Sequence, residues 1–168
     1  HAKGACFVYK RADLTVIDIG GQDTKLIAVE NGSVKDFVMN DKCSAGTGRF
    51  LEVMANTLSM RPEELCALAE SGGSASISSM CTVFAESEVI GLIGRGEPKE
   101  NIAYAVIDSI VKKVVSQASK FRIGASAVCL TGGLCTFDYL RRALSQALSV
   151  PVLSCADGRY SGAIGAAM

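Results

Sequence analysis

The hydrophobic positions of this chain follow two rhythms, one of strands and one of helices. Leu14-Thr-Val-Ile-Asp18-Ile is short, apolar and β-branched and runs into Gly20-Gly21, which predicts a buried strand ending in a tight turn. Lys25-Leu-Ile-Ala-Val29 predicts a second strand, closed by the hairpin signal Asn31-Gly32, and Val34 to Met39 alternates as the return strand. The opening segment therefore reads as a three-stranded antiparallel meander with a glycine loop between its first two strands. After Gly46-Thr-Gly48 the period turns helical, with Phe50, Leu51, Met54 and Leu58 on one face. Ser59 is expected to cap a second helix, whose first turn holds Pro62 and Glu63-Glu64. Past the small-residue loop at Gly72-Gly73, helices are predicted over Met80 to Leu92 and Asn101 to Phe121, broken by Gly94-Arg-Gly96-Glu-Pro98. The last third alternates: strand Ala127 to Thr131, turn Gly132-Gly133, helix Tyr139 to Leu148, strand Val152-Leu153, and a helical tail from Ser161 to Met168.

This order of elements is that of an α/β domain, and 168 residues are enough for one such domain with its own core. Seventeen basic residues balance seventeen acidic ones, so no net field recruits nucleic acid or an anionic membrane. No apolar run approaches the roughly 20 residues of a membrane span, and the first residues carry no signal peptide. A cytoplasmic protein is expected, with neither nucleic acid nor membrane as partner. The chain begins with His1 rather than Met, which suggests a piece of a longer polypeptide.

Candidate chemistry changes the picture more than composition does. Seven cysteines, an odd number without secretory features, disfavour a disulfide framework. With no Cys-x-x-Cys and His1 as the single histidine, a zinc finger lacks its ligands, so any metal site must draw on cysteines far apart in sequence. Cys43, in Asn40-Asp-Lys-Cys-Ser-Ala-Gly-Thr-Gly48, and Cys81, in Ser78-Ser-Met-Cys-Thr-Val-Phe-Ala-Glu86, both stand where a loop meets a helix. Backbone N–H groups and the helix dipole favour thiolate sulfur at such places. Cys66 and Cys129, and with them Cys6, Cys135 and Cys155, read instead as small buried hydrophobes.

Two glycine loops add a nucleotide. In Asp18-Ile-Gly20-Gly21-Gln22-Asp23-Thr24-Lys25 the glycines let backbone N–H groups approach phosphate, and an acidic group at a strand end can hold Mg²⁺, usually through water. Gly20, Gly21, Gln22 and Asp23 are therefore candidate phosphate contacts, Asp18 a catalytic candidate through Mg²⁺, and Gln22 a candidate for orienting the attacking water. Gly132-Gly133, between a strand and a helix, can pass close to an adenosine or diphosphate group. Each loop alone is equally the mark of an ordinary turn; two in one small domain say more.

Together, Asp18 to Lys25, Asn40 to Glu52 and Cys81 to Glu88 resemble the activator ATPases of 2-hydroxyacyl-CoA dehydratases and the related benzoyl-CoA reductase ATPase subunits, over essentially the whole chain. The resemblance implies one ribonuclease-H-like half of the actin, Hsp70 and sugar-kinase fold, in which two halves clamp ATP and Mg²⁺. It makes Asp18 to Asp23 the second phosphate loop, Gly132-Gly133 the adenosine loop, and the Ala163 to Met168 helix one of a pair crossing the hinge. It implies a homodimer sharing one [4Fe–4S] cluster, with Cys43 and Cys81 as each subunit's ligands. An electron would pass from reduced ferredoxin or flavodoxin, through the cluster, to the dehydratase as ATP closes the clamp. Four thiolates for a cubane and two well-placed cysteines per chain agree with a two-fold axis. Nothing before Asp18 resembles the Asp-x-Gly-Ser/Thr loop of the first half, so residues 1–168 are expected to be one half-domain, lacking its N-terminal partner and full ATPase activity alone. A non-catalytic dimeric domain that binds cluster or nucleotide, and a sugar- or acetate-kinase relative, are the other readings.

Overall fold

The computed structural model describes residues 1–40, 42–78, 81–119, 121 and 127–168. The elements in chain order are α1 (Ala2–Tyr9), β1 (Leu14–Ile19), β2 (Thr24–Glu30), β3 (Ser33–Asn40), α2 (Gly48–Thr57), α3 (Pro62–Leu68), α4 (Thr82–Gly94), α5 (Lys99–Ala118), β4 (Ala127–Thr131), α6 (Asp138–Leu148), β5 (Val152–Leu153) and α7 (Ser161–Ala167), with short 3₁₀ segments between some of them.

The strands make one sheet in the order β3-β2-β1-β4-β5. β1 to β3 are the antiparallel meander, while β4 and β5 add in parallel beside β1. All six residues of β1 are buried, as a central strand covered on both faces requires, whereas β3 is a largely exposed edge carrying Lys35 and Asp36. Asn31 and Gly32 both take positive φ, 51° and 73°, in the hairpin turn whose twist matches the strands.

The alternation of β1 decides the layers. Ile17 and Ile19 face the larger core built with α2 to α6, where Phe50, Leu51, Met54, Ile102, Val106 and Ile110 are fully buried. Leu14 and Val16 point to the opposite face and meet Ala5 of α1 and Cys129. Ile102, Val106, Ile110 and Val114 recur every fourth residue on α5, the stripe that lays this helix on the sheet. Each such side chain contributes about 1.5–3 kcal/mol by leaving water.

Two expectations need correction, and one helix answers to no signal in the sequence. That helix is α1. It carries no side-chain cap and no acidic first turn, and it is held by packing on α7, where a Cβ at Gly4 would overlap the Ser161 carbonyl. Ser59 does not cap α3: with φ 56° it lies in the left-handed turn that ends α2, and Arg61 is the N-cap, closed by Glu64 as a capping box. α4 begins at Thr82 with Cys81 as its N-cap, and the expected start at Met80 lies outside the described residues. The remaining segments agree to within three residues at each end. No helix among the described residues is long and apolar enough to cross a membrane.

Candidate functional site

Asp18 is the penultimate residue of β1 and is 2 % exposed. Sheet register surrounds it: Thr131 is its partner on β4 and Lys25 its partner on β2. The Thr131 hydroxyl donates to Oδ1 at 2.6 Å. On Oδ2 converge His1 Nδ1 at 3.2 Å and Lys25 Nζ at 3.7 Å, and Lys25 also meets Asp23 Oδ1 at 2.5 Å. Two carboxylates thus enclose one ammonium at the mouth of the glycine loop, an arrangement suited to exchanging a cation or a phosphate against fixed charges. Gln22 lies exposed at the loop tip and Asp23 is half-buried. Lys25, Thr131 and His1 escaped the sequence reading as site residues. Lys25 and Thr131 stand beside the glycine pairs and could have been found there, whereas nothing local marks His1.

The loop itself is tight, closed by the Gly20 N–H donating to the Asp23 carbonyl at 2.9 Å. A side chain at Gly21 would meet nothing within 4 Å, and the same holds for Gly133. Gly132 differs, with φ 85° and ψ −175°, backbone open only to glycine. Beyond it, Thr136 and Phe137 line a cleft of about 330 Å³ shared with Glu63 of α3 and Arg142 of α6.

The cysteine segments are bonded to this loop. Thr24, next to Asp23, donates its buried hydroxyl to the Gly46 carbonyl at 2.9 Å. The first N–H groups of α2, on Gly48 and Arg49, donate to the carbonyls of Gly20 and Gly21, both at 2.8 Å. The glycine loop therefore caps the helix that follows Cys43. Within the segment, the Asn40 amide donates to the carbonyls of Cys43 and Ala45, and the Thr47 hydroxyl to that of Ser44. Ser44 and Thr82, the residues that follow Cys43 and Cys81, join their hydroxyls at 2.7 Å. Glu88 accepts the Ser78 N–H at 2.6 Å, so this carboxylate fastens the segment ahead of Cys81.

The structure separates the cysteines by environment. Cys43, Cys81, Cys6 and Cys155 are half-buried; Cys66, Cys129 and Cys135 are buried. Burial pushes the Cys66 thiol up to about 11 and the Cys129 thiol up to about 12, which disfavours the thiolate a metal needs. The joined hydroxyls of Ser44 and Thr82 hold the Cys43 and Cys81 segments together at the N-terminus of a 13-residue helix, a donor set that fits a thiolate-bound cluster. Among the described residues no three His, Cys, Asp or Glu converge as a complete metal site. Val83, Phe84 and Ile90, each more than half exposed, form an apolar strip that starts beside Cys81.

A mixed sheet with a glycine loop in its first hairpin and a second glycine corner has the fold of the clamp ATPases built from ribonuclease-H-like halves. Ethanolamine utilization protein EutJ of Carboxydothermus hydrogenoformans shares that fold, with a TM-score of 0.60 at 16% identity over 98% of this chain and 52% of its own. Within the class, residues 1–168 match the BadF/BadG/BcrA/BcrD ATPase family, and the chain belongs to it. It is 46% identical to the (R)-2-hydroxyglutaryl-CoA dehydratase activating ATPase of Acidaminococcus fermentans, over all of this chain and 64% of that protein. The structure of the 2-hydroxyisocaproyl-CoA dehydratase activator of Clostridium difficile with bound ADPNP superimposes with a TM-score of 0.91, at 37% identity over 99% of this chain and 62% of the activator. The chain thus spans slightly less than two thirds of the length of these relatives.

Proposed function

We propose that this chain forms one wall of an ATP-driven activator of a 2-hydroxyacyl-CoA dehydratase and supplies two of the four ligands of a [4Fe–4S] cluster. The observation that carries this reading is the bonding from the glycine loop through Gly46 and Gly48 to Ser44 and Thr82, which joins that loop to both cysteine segments. In this reading Gly20, Gly21, Gln22 and Asp23 receive phosphate and Asp18 holds Mg²⁺ through water. Gly132 and Gly133 would border the adenosine. Lys25, released from Asp23, would neutralise phosphate charge, and Gln22 would orient the attacking water.

Cys43 and Cys81 would hold the cluster, which when bound supplies a low-potential one-electron couple. Because the glycine loop caps α2, a nucleotide that shifts Gly20 and Gly21 also shifts the segment leading back to Cys43. The strip of Val83, Phe84 and Ile90 would lie against the second subunit of a homodimer completing the four thiolates. The nucleotide biases a two-state clamp, and the clamp sets access for the dehydratase. Hydrolysis is proposed for the complete protein, in which a second half-domain closes the ATP site. Reduced ferredoxin or flavodoxin in the cytoplasm would be the electron donor.

Anaerobic purification with iron and sulfide analysis and a solution mass provides the test. Two chains per four irons are expected, with Cys43→Ala or Cys81→Ala abolishing cluster absorption while nucleotide binding survives. Full iron content in either variant would sink the assignment.

A further inference from the structure

Asp18 has one partner that comes from neither the glycine loop nor the strands beside it. His1 is the N-cap of α1, its carbonyl fixed by the Ala5 N–H at 2.9 Å. Its ring lies flat against α7: a Cβ at Gly162 would stand 3.0 to 3.4 Å from Cε1, Nδ1 and Nε2. The two helices are locked to each other, since Gly4 abuts the Ser161 carbonyl and the Gly165 N–H. The ring is thus held by the helix pair while Nδ1 reaches Asp18 Oδ2 at 3.2 Å. Thr131 occupies the other carboxylate oxygen, and Lys25 lies farther from Oδ2 than His1 does.

We propose that His1 is a positioning residue that joins the α1–α7 pair to Asp18 and sets the direction in which Oδ2 faces the nucleotide. Thr131 pivots the carboxylate at Oδ1, and His1 fixes its rotation from outside the sheet. Displacement of the helix pair is therefore transmitted to Asp18 without passing through the glycine turn. The proposal rests on the reading of Asp18 as the Mg²⁺-bearing group of the ATP site. It adds a second route by which the arrangement of the two half-domains reaches the phosphates, independent of the bonds between the glycine loop and α2.

His1→Asn and His1→Ala test it, because an asparagine amide nitrogen occupies nearly the position of Nδ1 whereas alanine removes the donor. Two measurements are made in the complete protein, with both half-domains present: the ¹³Cγ resonance of Asp18 without nucleotide, and kcat and nucleotide Kd for Mg·ATP. His1→Ala is expected to move the Asp18 resonance and to lower kcat about tenfold or more, the scale of a misplaced catalytic group. Nucleotide Kd should stay within about twofold, since the contact orients rather than binds. His1→Asn should restore the resonance and most of kcat. The proposal is overturned if His1→Ala leaves the resonance in place, or if the two variants are equally impaired, which would reduce the ring to packing. A wild-type protein that binds Mg·ATP without turning it over would overturn the assignment of Asp18 and the kinetic half of the proposal, while the resonance still decides whether His1 governs the carboxylate.

Discussion

The two glycine pairs look alike in sequence and differ in what they do for the fold. Gly132 is held at φ 85° with its α-carbon against the Ile19 backbone, so that any side chain would overlap that carbonyl. Gly133, one residue on, faces open space. In the first pair, Gly20 would carry a Cβ 2.9 Å from Asp23 Oδ1, a side-chain atom rather than backbone, and Gly21 again opens to nothing. One glycine of the second loop is thus required by the backbone of β1. The outer glycine of each loop is required by nothing inside the chain.

The contrast is broken most directly by substituting alanine. Gly132→Ala combines a disfavoured φ with a backbone overlap and is expected to cost about 3 kcal/mol or more, read by chemical denaturation. A cost near that of Gly133→Ala would mean that both loops are free. The next largest effect concerns the bond that joins the loops. Thr131→Val leaves a buried Asp18 oxygen without its donor, for an expected loss of about 1–3 kcal/mol. Equal stability in the variant would show that His1 and Lys25 suffice.

A pH series sharpens the comparison, since only the second loop is flanked by buried thiols, Cys129 before it and Cys135 after it. Burial raises both. Their protons are kept by the folded chain and lost by the unfolded one, so stability is whole below about pH 9 and declines as pH rises toward the folded value of Cys129, about 12. Between pH 9 and 10 the decline should reach no more than about 1.4 kcal/mol per thiol. Cys129→Ala should make it shallower, leaving the part due to the other buried thiols, and an unchanged slope would deny the thiol's part. The smallest stability effect belongs to the outer glycines: Gly21→Ala and Gly133→Ala should stay within about 0.5 kcal/mol of the parent. Both should nevertheless weaken ATP binding by about tenfold, which is a loss of roughly 1.4 kcal/mol at the ligand. Unchanged affinity in both would remove the nucleotide from these loops.

The meander was legible because its signals are local. An apolar β-branched run, an Asn-Gly turn and an alternating edge need no knowledge of distant residues. The glycine pairs and the helix start at Cys81 were legible for the same reason, whereas Cys43, expected at a helix start, lies in the loop ahead of Thr47, the N-cap of α2. α1 was not, because its place depends on the fit of Gly4 against Ser161 and Gly165, more than 150 positions away. Ser59 misled because a serine ahead of a proline reads as a cap, while the end of α2 required a left-handed residue at that point. Thr131 and Lys25 belong to the site through strand register, and register is a property of the assembled sheet.

The sequence by itself determined the order of the strands and of the helices after β3, the turns at Gly20-Gly21 and Gly132-Gly133, and the place of Cys81 at the start of a helix, since each follows from the conformational preferences of neighbouring residues. The tertiary structure alone decided that Thr131, Lys25 and His1 converge on Asp18, that Gly132 serves the backbone while Gly133 stays open, and that Ser44 meets Thr82. Those facts depend on pairings between residues far apart in the chain, which close only when the sheet and its two helical layers form together.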